Sequence, residues 1–310
     1  MSSAPFVPPL KCQGIKTKIV HEIARLAGDL PEGRWIEPFC GSCVVALNIR
    51  PGRALLCDSN IHIIRFYKDI QSKLLTPQSA REYLTEQGAK LKALGEAYYY
   101  EVRERFNENP GSLDFLFLNR SCFNGVMRFN RSGKFNVPFC QKVERFSPAY
   151  ITKIVNQLNN IALLIWASDW EFRVSGFMDT LAEASAYDFV YADPPYAGRH
   201  TDYFNSWSKQ DEENLAAALA QLPCKFILST WHSNEFRTNE QVEEKWASNG
   251  FHIFTREHYY HVGATEELRH PMIEALIANY AITPGSEKPR ARQLAFIEET
   301  RSTYQIKKTP

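Results

Sequence analysis

Strand-like and helix-like stretches alternate at the start of the chain, and this alternation restricts its fold more than any other feature. Apolar runs and turn signals predict a strand over 34–39, a helix over 41–49, a strand over 54–57 and a helix over 61–70. Such a βαβα opening is typical of a parallel sheet covered by helices. Further strand-like runs lie at 172–174, 187–191, 225–230, 252–260 and 274–280. The sequence therefore predicts an α/β protein built on one sheet.

The alternation is interrupted in the middle of the chain. Thr76 and Pro77 supply an N-cap and a proline at the first helical position, which predicts the start of a long helical stretch that reaches about Asn107. From Ser112 to about Asn160 the chain is polar and aromatic and has no strand–helix rhythm. The simplest organisation is one α/β core with an insertion.

The composition narrows the possible partners. With 310 residues, 44% of them hydrophobic, the chain can bury a large core. Its net charge of +1 excludes a uniformly basic protein, so any nucleic-acid surface must be a local patch. The chain has neither a long apolar run nor a charged, apolar, cleavable N-terminus. We therefore expect no membrane span and a cytoplasmic protein.

The cysteines predict reduced thiols, because there are seven of them at scattered positions. Cys40 and Cys43 form a lone C-x-x-C. A zinc site needs about four ligands, and neither a second cysteine pair nor a His-x-x-x-His follows. We interpret both cysteines as packing residues and expect no metal.

The tetrapeptide Asp193-Pro194-Pro195-Tyr196 directly follows an apolar strand-like run. Each proline fixes its own φ and restrains its predecessor, so the turn is stiff. Methylating the amino nitrogen of a base is hard because its lone pair is delocalised into the ring. The Asp193 side chain and the Pro194 carbonyl can accept the two amino hydrogens while Tyr196 stacks on the base. Taken alone, the turn also fits an ordinary strand exit.

A second turn, from Glu37 to Ser42, lies between the first strand and its helix, where open α/β sheets bind ligands. Gly41 lets the backbone approach a ligand. Asp58 follows Glu37 by 21 residues, the spacing at which an acid meets ribose hydroxyls. The turn lacks the further glycines that a pyrophosphate needs, so S-adenosylmethionine fits better than a dinucleotide. Either carboxylate, taken singly, can instead balance a helix macrodipole.

The stretch from Asn119 to Arg145 combines cations and phenylalanines with a single acid, Glu144. The cations are Arg120, Arg128, Arg131, Lys134, Lys142 and Arg145, and the phenylalanines are Phe123, Phe129, Phe135 and Phe139. Period-two character broken at 130–133 predicts a β-hairpin with Gly133 in its turn. A basic ribbon of this kind fits the major groove of DNA. The alternative is an exposed basic hairpin whose phenylalanines pack inward.

Five ordered motifs resemble the Dam family of DNA adenine-N6 methyltransferases. They are Leu10 to Lys16, Glu37 to Gly41, Asn119 to Gly125, Phe135 to Phe139 and Asp193 to Tyr196. The resemblance implies a Rossmann-like, S-adenosylmethionine-dependent methyltransferase core of the α group, built on a mixed, mostly parallel sheet. A helical and β-hairpin target-recognition domain would be inserted in this core. The implied division is a discontinuous core over 1–73 and 165–284, a DNA-binding insertion over 74–164 and a charged, flexible tail over 285–310.

The resemblance also implies a binding site for S-adenosylmethionine. Its residues would be Cys12, Lys16, Glu37, Pro38, Phe39, Gly41, Asp58, Phe177 and Asp193. Cys12 and Lys16 would contact the methionine end, Asp58 the ribose, and Phe177 the adenine, with Gly176 beside it. Asp193 would face both the sulfonium and the target amine. Cys12 and Ile15 depart from the family, which usually has an aromatic residue and a second glycine there.

The implied DNA-binding residues are Arg120, Asn124, Val126, Arg128, Lys134, Pro138 and Gln141. Arg128 would read a guanine. Gln141 stands where GATC enzymes tend to carry an arginine, and Val126 replaces a leucine, so the recognition sequence resembles GATC only in part. Tyr203, Phe204 and Trp207 could close over a flipped adenine, and His232 could line its pocket or cap a helix.

The hypothesis is methyl transfer from S-adenosylmethionine to N6 of a flipped adenine by direct displacement, with Asp193, Pro194, Pro195 and Tyr196 as the catalytic residues. Cytosine-N4 methylation remains open because its chemistry is nearly the same, although Asp193 at the first motif position points to adenine in this family. An RNA or protein-amide methyltransferase and an inactive DNA-binding module are further alternatives. We expect double-stranded DNA as the partner and a monomer without an obligate protein partner.

Overall fold

The computed structural model describes residues 4–130, 132–195, 207–234, 239, 242–259 and 271–281. Its sheet has seven strands, and their order is β3-β2-β1-β4-β5-β7-β6. The strands are β1 Trp35–Glu37, β2 Arg53–Asp58, β3 Asp169–Val174, β4 Phe189–Ala192, β5 Lys225–Asn234, β6 His252–Tyr259 and β7 Pro271–Ala278. Strands β1 to β5 are parallel, and β7 is antiparallel to both β5 and β6. The prediction of a mixed, mostly parallel sheet is confirmed.

The order of the strands reverses beside β1. Trp35 of β1 pairs with Ala54 of β2 on one side and with Phe189 of β4 on the other. In open α/β sheets, ligands bind outside the carboxyl ends of the strands at such a switch point. The turn after β1 and the turn after β4 therefore open onto the same crevice.

The described part of the chain contains nine α-helices. They are α1 Val20–Ala27, α2 Val44–Ile49, α3 Ile61–Gln71, α4 Pro77–Leu94, α5 Glu96–Glu108, α6 Ser112–Ser121, α7 Pro148–Trp166, α8 Phe177–Ala182 and α9 Lys209–Ala220. As predicted, Thr76 caps α4: its Oγ1 accepts a hydrogen bond from the Ser79 amide at 3.0 Å, and Pro77 follows.

The long helical stretch predicted from Thr76 to about Asn107 is confirmed, and the structure divides it into two helices, α4 and α5. Gly95 separates them with φ 68° and ψ −147°, a conformation that glycine adopts far more readily than other residues. The region that showed no strand–helix rhythm also contains two helices, α6 and α7.

Each face of the sheet has its own hydrophobic core, since side chains alternate along a strand. Ile36, Leu55 and Val190 face one side, where they pack with residues of α8 and α9. Trp35 and Phe189 face the other side, in a cluster that includes α1 to α7. Helices α6 and α7 pack against α3, so the inserted helices share a continuous core with this face of the sheet.

The segment between α6 and α7 forms the predicted hairpin turn. Phe129 and Phe135 form an antiparallel bridge, the Asn130 amide donates to the Lys134 carbonyl at 2.9 Å, and Gly133 has φ 71°. Three phenylalanines pack inward, as the alternative interpretation proposed: Phe129, Phe135 and Phe139 are at most 5% exposed. Phe123 differs, with 54% exposure.

The hairpin is anchored to the core by aromatic contacts. His62 of α3 stacks on Phe129 with ring centroids 5.0 Å apart, and it also contacts Phe106 of α5, with centroids 4.9 Å apart. Burial, followed by the nearby charge of Arg65, lowers the pKa of His62 to about 4. None of the helices in the described part of the chain has the length and apolar character that a membrane crossing requires. The tail over 285–310 lies outside the described residues.

Candidate active site

The Asp-Pro-Pro turn begins at the carboxyl end of β4. All four residues of this strand are buried, which leaves Asp193 as the first polar side chain after it. The Asp193 side chain is 21% exposed, Pro194 is buried and Pro195 is half-buried. Tyr196, Tyr203 and Phe204 lie outside the described residues. The strand therefore delivers one carboxylate to the crevice at the switch point.

Lys16 reaches this carboxylate from the start of the chain. It opens a short 3-10 turn before α1, and its Nζ lies 2.9 Å from Oδ1 of Asp193. The same ammonium donates to the Gly14 carbonyl at 2.9 Å. The Lys16 side chain is only 2% exposed. Its charge is therefore buried and held by Asp193 and the Gly14 carbonyl, and it is not a solvated lysine.

Glu274 is a second carboxylate on the same lysine. Its Oε1 lies 3.5 Å from Nζ of Lys16, and its side chain is fully buried. The residue belongs to β7, where it pairs with Trp231 of β5 and Arg256 of β6. Burial raises the pKa of Asp193 to about 6; the Glu274 charge adds to this rise, and Lys16 opposes it.

Asp58 ends β2 and ties two turns together. Its Oδ2 accepts the Gly41 amide at 2.9 Å, and its Oδ1 accepts the Asn60 amide at 2.8 Å. Burial raises the pKa of Asp58, while these two hydrogen bonds work against the rise. A carboxylate has about four lone-pair sites, so both oxygens can still accept hydrogen bonds from a ligand. Gly41 has φ 48° and makes the close approach possible.

Glu37 lies beneath the turn that follows β1, and it does not lie at a solvated helix end. It is 2% exposed, and its Oε1 accepts the indole N–H of Trp35 at 2.8 Å. Burial raises the pKa of Glu37 to about 8, so the group is mostly neutral at pH 7. Pro38 beside it is also buried.

Three aromatic rings meet between the β1 turn and α8. Phe39 stacks on Phe177 with centroids 5.5 Å apart, and Trp207 lies edge-on to Phe39 at 5.6 Å and 5.4 Å from Phe177. Gly176 is the N-cap residue of α8 and brings Phe177 to this position. Trp207 thus packs with the two predicted cofactor residues, at the edge of the same crevice.

Cys12 lies beside Gly41, close enough to Asp58 and Asp193 to sense their charges. Its Sγ is 3.8 Å from the point that a Cβ on Gly41 would occupy. Burial raises the pKa of the Cys12 thiol well above its ordinary value, and the charges of Asp58 and Asp193 add to the rise. The structure therefore brings Cys12, Lys16, Asp58 and Asp193 together at one site.

Most of the predicted DNA-binding residues lie on the exposed side of the hairpin region. Asn124, Lys134, Pro138 and Gln141 are exposed, and Val126 and Arg128 are half-buried. Arg128 is held along the hairpin, because its Nε donates to Oδ1 of Asn136 at 2.9 Å and a terminal nitrogen donates to the Asn136 carbonyl at 3.2 Å.

Arg120 is the exception, since its side chain is only 4% exposed. Its guanidinium donates to Oε1 of Gln157 at 2.5 Å and to the Tyr150 hydroxyl at 3.3 Å. Arg145 packs over the Tyr150 ring at 4.6 Å and donates to the Arg120 carbonyl at 2.8 Å. The expectation that Arg120 presents its charge to DNA is wrong for this structure, because α6 turns the side chain toward α7.

The structure also bears on the cysteine pair and on His232. Cys40 and Cys43 are buried in the core around α2, as expected for packing residues. In the described part of the chain no group of three His, Cys, Asp or Glu side chains is arranged to hold a metal ion. His232 does not cap a helix, because it lies within β5 and its Nδ1 is 2.9 Å from the Ser233 hydroxyl.

Comparison with known proteins assigns the family. The sequence profile of the D12 class N6 adenine-specific DNA methyltransferases matches residues 13–262. The chain belongs to this family. It is 33% identical over 221 residues to the retron Ec67 DNA adenine methylase of Escherichia coli, covering 68% of this chain and 71% of that protein. The resemblance drawn from five motifs is confirmed.

Further relatives of this D12 methyltransferase cover similar parts of the chain. The DNA adenine methylase of Serratia marcescens is 34% identical over 228 residues, which span 69% of this chain and 77% of that protein. The type II methyltransferase M.MjaIII of Methanocaldococcus jannaschii is 32% identical over 227 residues, which span 66% and 74%. The predicted DNA adenine methyltransferase function is supported by the family and by these relatives.

Glu274 is the residue of this D12 methyltransferase site that the motifs missed. The signal was present in the sequence, because one acidic residue interrupts the otherwise apolar run from Pro271 to Ala278. A buried strand with a single carboxylate needs a partner for it. Which partner it finds depends on the order of the strands, and this cannot be deduced from the run itself.

Proposed function

We propose that this D12 methyltransferase transfers a methyl group from S-adenosylmethionine to N6 of an adenine in duplex DNA. The observation that carries the proposal is the Asp193 carboxylate, which sits at the switch point of the sheet in an ion pair with buried Lys16. This crevice is lined by glycine and by carboxylates, and it is mostly excluded from water. These properties suit an aromatic amine and a cationic methyl donor.

The amine is held by hydrogen-bond acceptors on the turn after β4. Lys16 engages Oδ1 of Asp193, and we assign Oδ2 and the Pro194 carbonyl to the two amino hydrogens. Two acceptors aimed at one NH₂ group pull its lone pair out of conjugation with the ring and orient it. Pro195 keeps the turn rigid, and Tyr196 provides the stacking face for a base extruded from the duplex.

S-adenosylmethionine would supply an activated methyl group when bound, and the residues of the crevice fit it. Among the described residues of the crevice, the carboxylates of Asp58, Asp193 and Glu274 outnumber the ammonium of Lys16, so a ligand with net positive charge suits the site. Asp58 is suited to ribose hydroxyls, and the Phe39 and Phe177 rings to an adenine face. Cys12 and Lys16 border the methionine end, and Glu37, Pro38 and Gly41 shape the turn.

DNA would bind to the region over 74–164, which we propose as a recognition insertion within the core over 1–73 and 165–284. Arg128 takes the guanine-reading role, and its contacts with Asn136 support this by fixing the guanidinium plane. The exposed residues Asn124, Lys134, Pro138 and Gln141, with Val126, complete the surface. Arg120 supports this surface from beneath.

The test is methyl transfer from labelled S-adenosylmethionine to duplexes with adenine or cytosine as the candidate base. Label should appear as N6-methyladenine, and Asp193→Asn should lower the rate by about 100-fold or more while the protein stays folded. Asp169→Asn is the matched control, because that carboxylate is 83% exposed on β3. Label in N4-methylcytosine, or intact DNA binding without label, would contradict the proposal.

A further inference from the structure

We propose that Glu274 is a positioning residue for methyl transfer, and that it acts by sharing the Lys16 ammonium with Asp193. By holding part of the lysine charge, Glu274 keeps Asp193 from being fully neutralised and leaves it a stronger acceptor for the amine. This role rests on the proposed function of Asp193. It adds a residue from β7, far along the chain from the other residues of the site, to the machinery that handles the amine.

The geometry around Lys16 supports the sharing. An ammonium has three N–H donors. In this structure Nζ lies 2.9 Å from Oδ1 of Asp193, 2.9 Å from the Gly14 carbonyl and 3.5 Å from Oε1 of Glu274. One cation thus faces two carboxylates and one carbonyl. It can compensate only one of the two negative charges.

Packing alone does not account for a second carboxylate at this position. Glu274 is fully buried between β5 and β6, where its neighbours Ala275, Leu276 and Ile277 are apolar. Burying a carboxylate that shares its cation costs stability, and an apolar residue of similar volume often costs less. A buried charge that lowers the stability of the fold is the kind of group that electrostatic catalysis uses.

Methyl transfer creates a positive charge on N6, and the excess negative charge of Asp193 and Glu274 complements it. As N6 forms its bond to the methyl carbon, the carbon–sulfur bond breaks and its electron pair stays with the sulfur, which becomes a neutral thioether. N6 is positive until one N–H proton passes to solvent water. A preorganised negative charge beside N6 stabilises this build-up. Without Glu274, Lys16 would pair one-to-one with Asp193 and cancel most of that charge.

The surroundings of Asp193 make the effect visible in a pH profile. The groups that face it are Lys16 before α1, Glu274 on β7, Tyr191 on β4, Glu37 on β1 and Cys12 near the start of the chain. Burial raises the pKa of Tyr191, Glu37 and Cys12, which keeps these three groups mostly neutral near pH 6. Burial therefore raises the pKa of Asp193 most, and the charges of Lys16 and Glu274 adjust it in opposite directions.

The first experiment compares Glu274→Gln with the wild type under single-turnover conditions across pH. We expect the rate at pH 8 to fall roughly tenfold or more, with DNA binding unchanged. The acid limb of the profile should move to lower pH, because removing a neighbouring negative charge lowers the pKa of Asp193. Glu274→Asp, which keeps the charge, should leave the limb near its wild-type position. Glu22→Gln is the control, since its partner Arg256 is at the surface.

The second experiment measures thermal stability and does not depend on activity. Lys16→Met leaves two buried carboxylates without their shared cation, so adding Glu274→Gln to it should raise the melting temperature. In the wild-type background the same change should raise the melting temperature less, because Lys16 is still present to compensate part of the charge. Equal effects in both backgrounds, or an unmoved acid limb in Glu274→Gln, would overturn the proposal. If Asp193→Asn is active, the site assignment itself fails; if only Glu274→Gln behaves like wild type, this inference alone fails.

Discussion

Lys16 and Asp193 form a buried ion pair, with 2.9 Å between Nζ and Oδ1, that joins the start of the chain to the carboxyl end of β4. The pair lies at the point where the strand order reverses, beside the β1 turn that Asp58 holds. Burial alone would favour the protonated acid, and Lys16 works against it, so the pKa of Asp193 lies at about 6. An acceptor for an amine must be ionised, and this pair keeps it so at pH 7.

Replacing Lys16 by Met should therefore shift the acid limb of activity to higher pH, since the pKa of Asp193 rises when the cation is lost. The folded pKa of Asp193 already exceeds its ordinary value of 3.8, so its contribution to stability declines as pH rises through about 6. In Lys16→Met this decline should extend to higher pH. Thermal unfolding at pH 5 and pH 8, with exposed Lys18→Met as the control, measures it. An unchanged pH dependence would refute the coupling.

Asp58→Asn should weaken S-adenosylmethionine binding by about tenfold or more, because hydrogen bonds to a charged acceptor are lost. The substitution replaces one of the two carboxylate oxygens by an NH₂ group, which cannot accept the Gly41 or the Asn60 amide that this oxygen held. Isothermal titration with S-adenosylmethionine gives the dissociation constant directly. Asp169→Asn, at an exposed position of β3, should bind like wild type. Equal affinities for the Asp58 variant and the wild type would rule out the ribose role.

Arg128→Ala and Lys134→Ala should weaken DNA binding in different ways. Arg128 is fixed by Asn136, so its loss should cost about 1–3 kcal/mol and relax specificity at one base pair. Lys134 is exposed near the hairpin turn, so its loss should weaken all duplexes alike and reduce the salt slope by about 1. Fluorescence anisotropy against salt, with duplexes that differ by single base pairs, distinguishes the two. Uniform weakening by Arg128→Ala would argue against base reading.

Arg120→Met should lower stability and leave the salt slope of DNA binding unchanged. The substitution removes the donors to Gln157 and Tyr150 inside the α6–α7 interface, a loss worth about 1–3 kcal/mol. Urea unfolding measures the first effect and anisotropy the second. A variant that keeps its stability but has a smaller salt slope would instead indicate that Arg120 contacts DNA.

Local patterns in the sequence predicted the elements that depend on local physics. Apolar runs located all seven strands, Thr76 and Pro77 located the start of α4, and Gly133 located the hairpin turn. The helical stretch from Thr76 was also located, but its division into α4 and α5 was not, because one positive-φ glycine, Gly95, weighs little in a helical pattern yet interrupts the backbone geometry.

The sequence by itself determined the family, the α/β core and the turn that carries Asp193, since ordered motifs and short-range periodicity are written in neighbouring residues. Only the tertiary structure decided that Arg120 faces α7 and that Glu274 reaches Lys16. Both outcomes depend on which elements become neighbours. Because β7 inserts antiparallel beside β5, it carries a carboxylate to the switch point, and a pattern within one strand contains no information about that order.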